Sequence, residues 1–283
     1  MSMLTSALLG LLQGLAEFLP VSSSGHLLLA RLLLGIQTES PAMKMLDILL
    51  HVGTLIPVLV VFWKDWMAML AHPLRNKTLL LLFVASLPTL VIYVLAKKLF
   101  PDVDGFAVFD NGWFLGASFL MTAVFLLLCE ARSRSSACRK SRPGIGSALI
   151  MGIFQGIGMI PGISRSGSTI TGGVLSGMKK EAAAKFSFMM SAPAIVASLL
   201  LEGKDAISEG YVREIQLLPT LVGILVACVS GFLAIRFMLR IISRIPMTSF
   251  ALYLALIGVA YLVMQLLGSP LLPAFELPVI AAG

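Results

Sequence analysis

Six stretches of the chain stay apolar for the length of a bilayer crossing: Lys44–Phe62, Thr78–Ala96, Asn111–Glu130, Ala184–Leu201, Leu217–Met238 and Thr248–Leu267. About twenty helical residues at ~1.5 Å each span a hydrocarbon core of ~30 Å, so each stretch predicts one crossing. Two regions break this pattern. Met3–Leu19 is apolar, but Pro20 and the polar run Ser22-Ser23-Ser24-Gly25-His26 interrupt it before a short apolar piece, Leu27–Gly35. The same outline returns at Ile145–Ile160, where Pro161-Gly162 and Ser164-Arg165-Ser166-Gly167-Ser168-Thr169 precede Ile170–Met178. Each predicts a broken, re-entrant helical hairpin.

The two interrupted regions superpose. Gly10, Gln13, Gly14, Ser22, Ser24 and Gly25 match Gly152, Gln155, Gly156, Ser164, Ser166 and Gly167 at one offset of 142. One hairpin plus three crossings per half is an odd count of crossings, which turns the second half upside down. The predicted fold is therefore an all-α integral membrane protein with an inverted-topology repeat. It forms a single membrane domain over 1–283, with a first repeat at 1–130, a basic linker at 131–142 and a second repeat at 143–268.

Composition agrees with lipid as the solvent: 58 % of residues are hydrophobic and 12 % charged, against about a quarter charged in soluble domains. The net charge of +7 raises nucleic acid as a partner, but basic residues of a multi-pass protein collect in cytoplasmic loops. Lys64, Arg75, Lys77, the Arg132–Arg142 run, Lys179, Lys180, Lys185 and Arg236–Arg244 fall on one side of the predicted arrangement. The opposite side receives Arg31, Lys44, Lys97, Lys98, Lys204 and Arg213. No nucleic acid is expected. The first side is then cytoplasmic, with both termini and the mouth of the first hairpin facing out. A rival arrangement counts Met1–Leu19 as a full crossing. Cys129, Cys138 and Cys228 show neither paired nor zinc-ligand spacing. Met1–Val21 lacks a basic leader and a cleavage pattern, so it is expected to stay in the mature chain.

Irregular backbone at membrane depth is tolerated only where protein or a wet cavity covers it, which predicts that the two loops meet. Serine and glycine suit an amide-rich turn opening a helix, a setting that attracts phosphate; they also simply let helices pack closely. Arg165 is a permanent planar cation amid apolar sequence, suited to gripping two phosphate oxygens. Gln13 and Glu17 share one helix face directed toward Ser22–His26. Glu17 is a candidate ligand for a divalent cation or a proton acceptor, and His26 a candidate base, acid or nucleophile. Asp47 and His51, four apart, are expected to form a buried pair supporting the site. Glu130 and the Arg132–Arg142 run are expected to be a helix end and a solvated loop.

Gln13-Gly-Leu-Ala-Glu17, Pro20-Val-Ser-Ser-Ser-Gly-His26 and Pro161-Gly-Ile-Ser-Arg-Ser-Gly-Ser-Thr169 resemble the motifs of the undecaprenyl-diphosphate phosphatase family, also called bacitracin-resistance proteins. The resemblance implies hydrolysis of undecaprenyl diphosphate to undecaprenyl phosphate and inorganic phosphate, in the bacterial inner membrane, at a site open to the outer face. It also implies a divalent cation, Mg2+ or Ca2+. Where the family's acidic motif admits Glu or Gln, this chain has Gln13, so Glu17 carries the carboxylate duty alone. Expected catalytic residues are Glu17, Ser23, His26 and Arg165, with Glu17 also the metal ligand. Expected substrate-binding residues are Gln13, Ser22, Ser24, Ser164, Ser166 and Thr169. Ser23 attacking with His26 handling the proton is the favoured mechanism, while His26 or a metal-activated water stay open as nucleophiles. Expected partners are undecaprenyl diphosphate and membrane lipids, with a homodimer left open. Two alternatives stand beside this one. A phosphatidic-acid-phosphatase-type enzyme needs a second His downstream of its Ser-Arg element, and here His51 and His72 both precede Arg165. A polyprenyl-phosphate transporter or flippase shares the inverted-repeat design.

Overall fold

The computed structural model describes residues 2–36, 40–73, 75–99, 112–136, 138–208, 210–211, 215–270 and 272. Among these the chain forms eleven helices and one isolated backbone bridge, between Lys140 and Met178. The helices are α1 (Met3–Phe18), α2 (Ser23–Leu33), α3 (Pro41–Val61), α4 (Trp63–Ala71), α5 (Lys77–Leu99), α6 (Leu115–Ser133), α7 (Ile145–Ile157), α8 (Arg165–Leu175), α9 (Lys180–Ser208), α10 (Leu217–Ile241) and α11 (Met247–Leu266).

Six of them, α3, α5, α6, α9, α10 and α11, are long and apolar enough to cross a membrane, and they overlap the six predicted stretches. Their outward faces keep Phe83, Leu225, Leu233 and Leu256 more than half exposed, as a lipid-facing surface requires. By contrast α1 has 16 residues and α7 has 13, about 24 and 20 Å at ~1.5 Å per residue, short of a ~30 Å core. The short α4 is unforeseen. It follows a break at Phe62, where the Trp66 indole N–H donates to the Val58 carbonyl at 3.4 Å. The predicted start of the third crossing, Asn111, and Arg213 of the loop-charge pattern lie outside the described residues.

Helix pairing is reciprocal between the halves: α1 packs on α10 and α7 on α5, while α6 packs on α11 and α3 on α9. The close pairs depend on the matched glycines. A Cβ at Gly10 would lie 2.3 Å from the Gly223 carbonyl oxygen, and one at Gly152 would lie 2.1 Å from that of Ala85. Both are backbone contacts without room to give, so only glycine admits these approaches.

Three expectations are corrected. Arg31, assigned to a loop, is 4 % exposed and forms a two-pronged ion pair with the Asp47 carboxylate. The predicted Asp47–His51 side-chain pair does not form, because Asp47 is taken by Arg31 and His51 Nδ1 donates to the Asp47 backbone carbonyl at 2.8 Å. Glu130 is not a solvated helix end. It accepts from Lys180 Nζ at 3.3 Å, Arg134 Nε at 3.2 Å and the Met247 amide at 3.0 Å, fastening α6 to the starts of α9 and α11. The linker is docked as well, with the Lys140 amide and carbonyl bonded to Gly177 and Lys179.

The Arg31–Asp47 pair offers a test of stability. Removing one partner of a buried pair strands the other charge, whereas replacing both by apolar residues can be nearly neutral. Asp47→Ala is expected to cost about 3 kcal/mol. Arg31→Met combined with Asp47→Leu should recover most of that loss, read as the apparent unfolding temperature in detergent.

Candidate active site

The two loops are built alike. Each follows a proline, and in each a serine caps the next helix: Ser22 Oγ accepts from the Gly25 amide at 3.2 Å and Ser164 Oγ from the Gly167 amide at 3.0 Å. The hydroxyl two residues on stands 3.4 Å from the cap in the first loop and 3.3 Å in the second. Ser22 adopts φ +73°, the only positive φ at a non-glycine residue among those described, a strained conformation of the kind that marks functional turns.

The tips of the loops touch. The Gly162 amide donates to Ser24 Oγ at 3.3 Å, and Ser166 Oγ donates to the Leu19 carbonyl at 3.0 Å. Gly162 has φ +86° and no room for a Cβ against Leu115 and Ser118, both at 2.7 Å. Glycine meets both demands there.

The loops meet at Glu17, in the last turn of α1 and 7 % exposed. Its Oε1 accepts from Arg165 Nη2, on the first residue of α8. Its Oε2 accepts from Ser23 Oγ at 2.6 Å and Gln13 Nε2 at 3.2 Å. Positions 23 and 165, equivalent under the offset, thus deliver their side chains to the two oxygens of one carboxylate. The Arg165 guanidinium makes no other hydrogen bond among the described residues, and the side chain is 23 % exposed, so the rest of the guanidinium is open to a ligand. His51 stands within electrostatic reach of Glu17 from α3.

His26 is engaged elsewhere. Its Nδ1 lies 2.8 Å from the Ser22 carbonyl, which can only accept, so Nδ1 carries the proton. Its Nε2 lies 2.8 Å from the Tyr253 hydroxyl on α11. Ser23 Oγ therefore gives its hydrogen bond to Glu17, while the two His26 nitrogens are bonded to Ser22 and Tyr253. Tyr253 had no local signal in the sequence, being one of two phenols in an apolar helix, 227 positions from its partner.

The serines and threonine proposed to bind substrate divide into two kinds. Ser22 and Ser164 are occupied as caps, and Thr169 Oγ1 donates to the Arg165 carbonyl at 2.8 Å and lies 2.6 Å from Ser187 Oγ. The Gly25 and Gly167 amides are likewise taken by the caps. Ser166 holds the other loop, and only Ser24 of this set is exposed. These hydroxyls shape the loops.

For a divalent cation, the donor set is all oxygen. The Gln13 amide must turn its NH2 to Glu17, which leaves its buried Oε1 without a partner beside the carboxylate. Oxygen donors of this kind suit Mg2+ or Ca2+, although no group of three or more His, Cys, Asp or Glu gathers among the described residues. Water and substrate oxygens would have to complete the shell.

These features define a multi-pass helical membrane protein with a buried carboxylate shared by an arginine and a serine. The family described as bacitracin resistance protein BacA matches residues 6–260, and the chain belongs to it. It is 39 % identical over 257 residues to an undecaprenyl-diphosphatase of Halothermothrix orenii, covering 90 % of this chain and 95 % of that one. With an undecaprenyl-diphosphatase of Carboxydothermus hydrogenoformans it shares 36 % identity over 269 residues, 95 % of this chain and 99 % of the other. A third, of Rubrobacter xylanophilus, is 36 % identical over 265 residues, 89 % of this chain and 94 % of that one.

Proposed function

We propose that this protein hydrolyses undecaprenyl diphosphate to undecaprenyl phosphate and inorganic phosphate, recycling the lipid carrier of cell-wall synthesis. The observation that carries this is the convergence of Ser23 and Arg165 on Glu17. Ser23 Oγ attacks the terminal phosphorus while its proton passes to Glu17 Oε2; the bond from that phosphorus to the bridging oxygen breaks, and undecaprenyl phosphate leaves. Water then cleaves the phosphoserine to release inorganic phosphate. Arg165 binds the phosphoryl oxygens through the N–H groups not used on Glu17, and protonation of Glu17 weakens its hold on Arg165 as charge builds on phosphate. His26 stands beside Ser23 on the same turn to handle a proton of the leaving group or of the attacking water. A divalent cation held by Glu17 and Gln13 Oε1 would supply charge neutralisation on the diphosphate.

We also infer an inverted-topology repeat of two re-entrant hairpins, dividing as 1–130 and 143–268 around the 131–142 linker. Support comes from the matched helix limits, the twin serine caps and the reciprocal helix pairing. The site opens to the outer face of the bacterial inner membrane. In support, Lys140, Lys180 and Lys185 gather with Glu130 and Asp65 around the start of α9, where the positive-inside rule puts the cytoplasm.

Purified protein in detergent is expected to release phosphate from undecaprenyl diphosphate, to stop with EDTA, and to recover with Mg2+ or Ca2+. Movement of polyprenyl phosphate across vesicles without phosphate release would instead establish the transporter alternative.

A further inference from the structure

Beyond the residues so far given a role, Tyr253 hydrogen-bonds α11 to the turn carrying the site. Its hydroxyl is 2.8 Å from His26 Nε2, and its ring stacks on the imidazole with centroids 5.7 Å apart and planes 9° from parallel. Phe119 of α6 packs against the same ring, tilted by 58° with its centroid 5.3 Å from that of His26. With the Ser22 carbonyl on Nδ1, both ring nitrogens of the partly buried imidazole are hydrogen-bonded.

We propose that Tyr253 is a positioning residue for His26, fixing the ring in one pose in both of its charge states. The chemistry of the phenol makes this specific. Nδ1 already donates to Ser22, so the neutral ring presents a lone pair at Nε2, and the Tyr253 hydroxyl donates to it. To let Nε2 take up a proton the hydroxyl swings its hydrogen away from the lone pair, and once Nε2 is protonated the same oxygen accepts from it. A phenylalanine would keep the stack and the apolar surroundings but could do neither. A ring that transfers protons without turning keeps its atoms within reach of the reacting oxygens, and small misplacements are costly. The contact also crosses the repeat, since α2 belongs to the first half and α11 to the second, so a helix of the second half helps set the geometry of the first hairpin.

This assignment rests on the proposed role of His26 in phosphate release, and two readouts separate them. In protein labelled with 15N-histidine, the His26 signal, identified by its loss in His26→Ala, should show Nδ1 protonated and Nε2 accepting a hydrogen bond. Tyr253→Phe should shift or broaden the Nε2 signal. In turnover assays Tyr253→Phe should lower kcat roughly tenfold with KM nearly unchanged, less than the loss of a whole acid–base group. Placed on His26→Ala, it should cause no further loss, the non-additivity expected when one residue acts through another. A His26 signal unaltered in Tyr253→Phe overturns the proposal whatever the activity, and so does an equal loss of kcat with and without His26. Full activity in His26→Ala removes His26 from the reaction instead, and the His26 spectrum alone then decides whether Tyr253 holds the ring.

Discussion

Glu17→Gln is expected to lower phosphate release from undecaprenyl diphosphate by about 10²- to 10⁴-fold, the range for losing a positioned general base. The substitution is nearly isosteric, so the reason is chemical. Three donors converge on the carboxylate: Arg165 Nη2, Ser23 Oγ and Gln13 Nε2. An amide can face Arg165 with its oxygen and donate its NH2 to Ser23 Oγ and to a turned Gln13 Oε1, but this reverses the Ser23 hydrogen bond that proton transfer needs. It also has no negative charge to hold Arg165 or to take the Ser23 proton. The folded protein should survive, because the first loop retains its Ser22 cap and both loops keep the Ser24 and Ser166 contacts. The check is kcat measured beside the apparent unfolding temperature. Activity within a few fold of the parent would remove Glu17 as the proton acceptor.

Arg165→Lys is expected to cost about 10²- to 10³-fold in kcat, comparable to removing one donor that stabilises transition-state charge. A lysine ammonium could satisfy Glu17, but it is a point charge. The guanidinium spends one Nη on Glu17 and keeps the rest of a planar fork for two phosphate oxygens. Position 165 opens α8 directly after its Ser164 cap, so the backbone places the side chain and the substitution should leave the loop intact. Charge is conserved in this variant, so the loss of rate isolates geometry from electrostatics. A lysine enzyme as fast as the parent would show that net charge alone is required.

Much of the site was legible in the sequence because its parts are local. After Pro20 and after Pro161 a serine stands three residues before a glycine, and in both loops that serine caps the helix. Gln13 and Glu17 at helical spacing did fall on one face. What local spacing misled was partner choice. Asp47 and His51 also share a face, but Arg31 outbids the imidazole for the carboxylate, since a buried guanidinium must be paired. His26 lies three residues from Ser23, yet its ring is drawn to Tyr253 and to the carbonyl of the strained Ser22.

By itself the sequence determined the solvent, the six helices long and apolar enough to cross it, the two interrupted regions and their relation by one offset, because hydropathy over twenty residues and motif spacing are properties of contiguous chain. Only the tertiary structure decided that Arg165 closes on Glu17 across 148 positions, that Ser23 gives its hydrogen bond to the same carboxylate, and that Tyr253 holds His26. The physical reason is that a buried polar group binds whichever partner packing brings within about 3 Å. That choice is made by how α1, α8 and α11 come together, and sequence distance does not encode it.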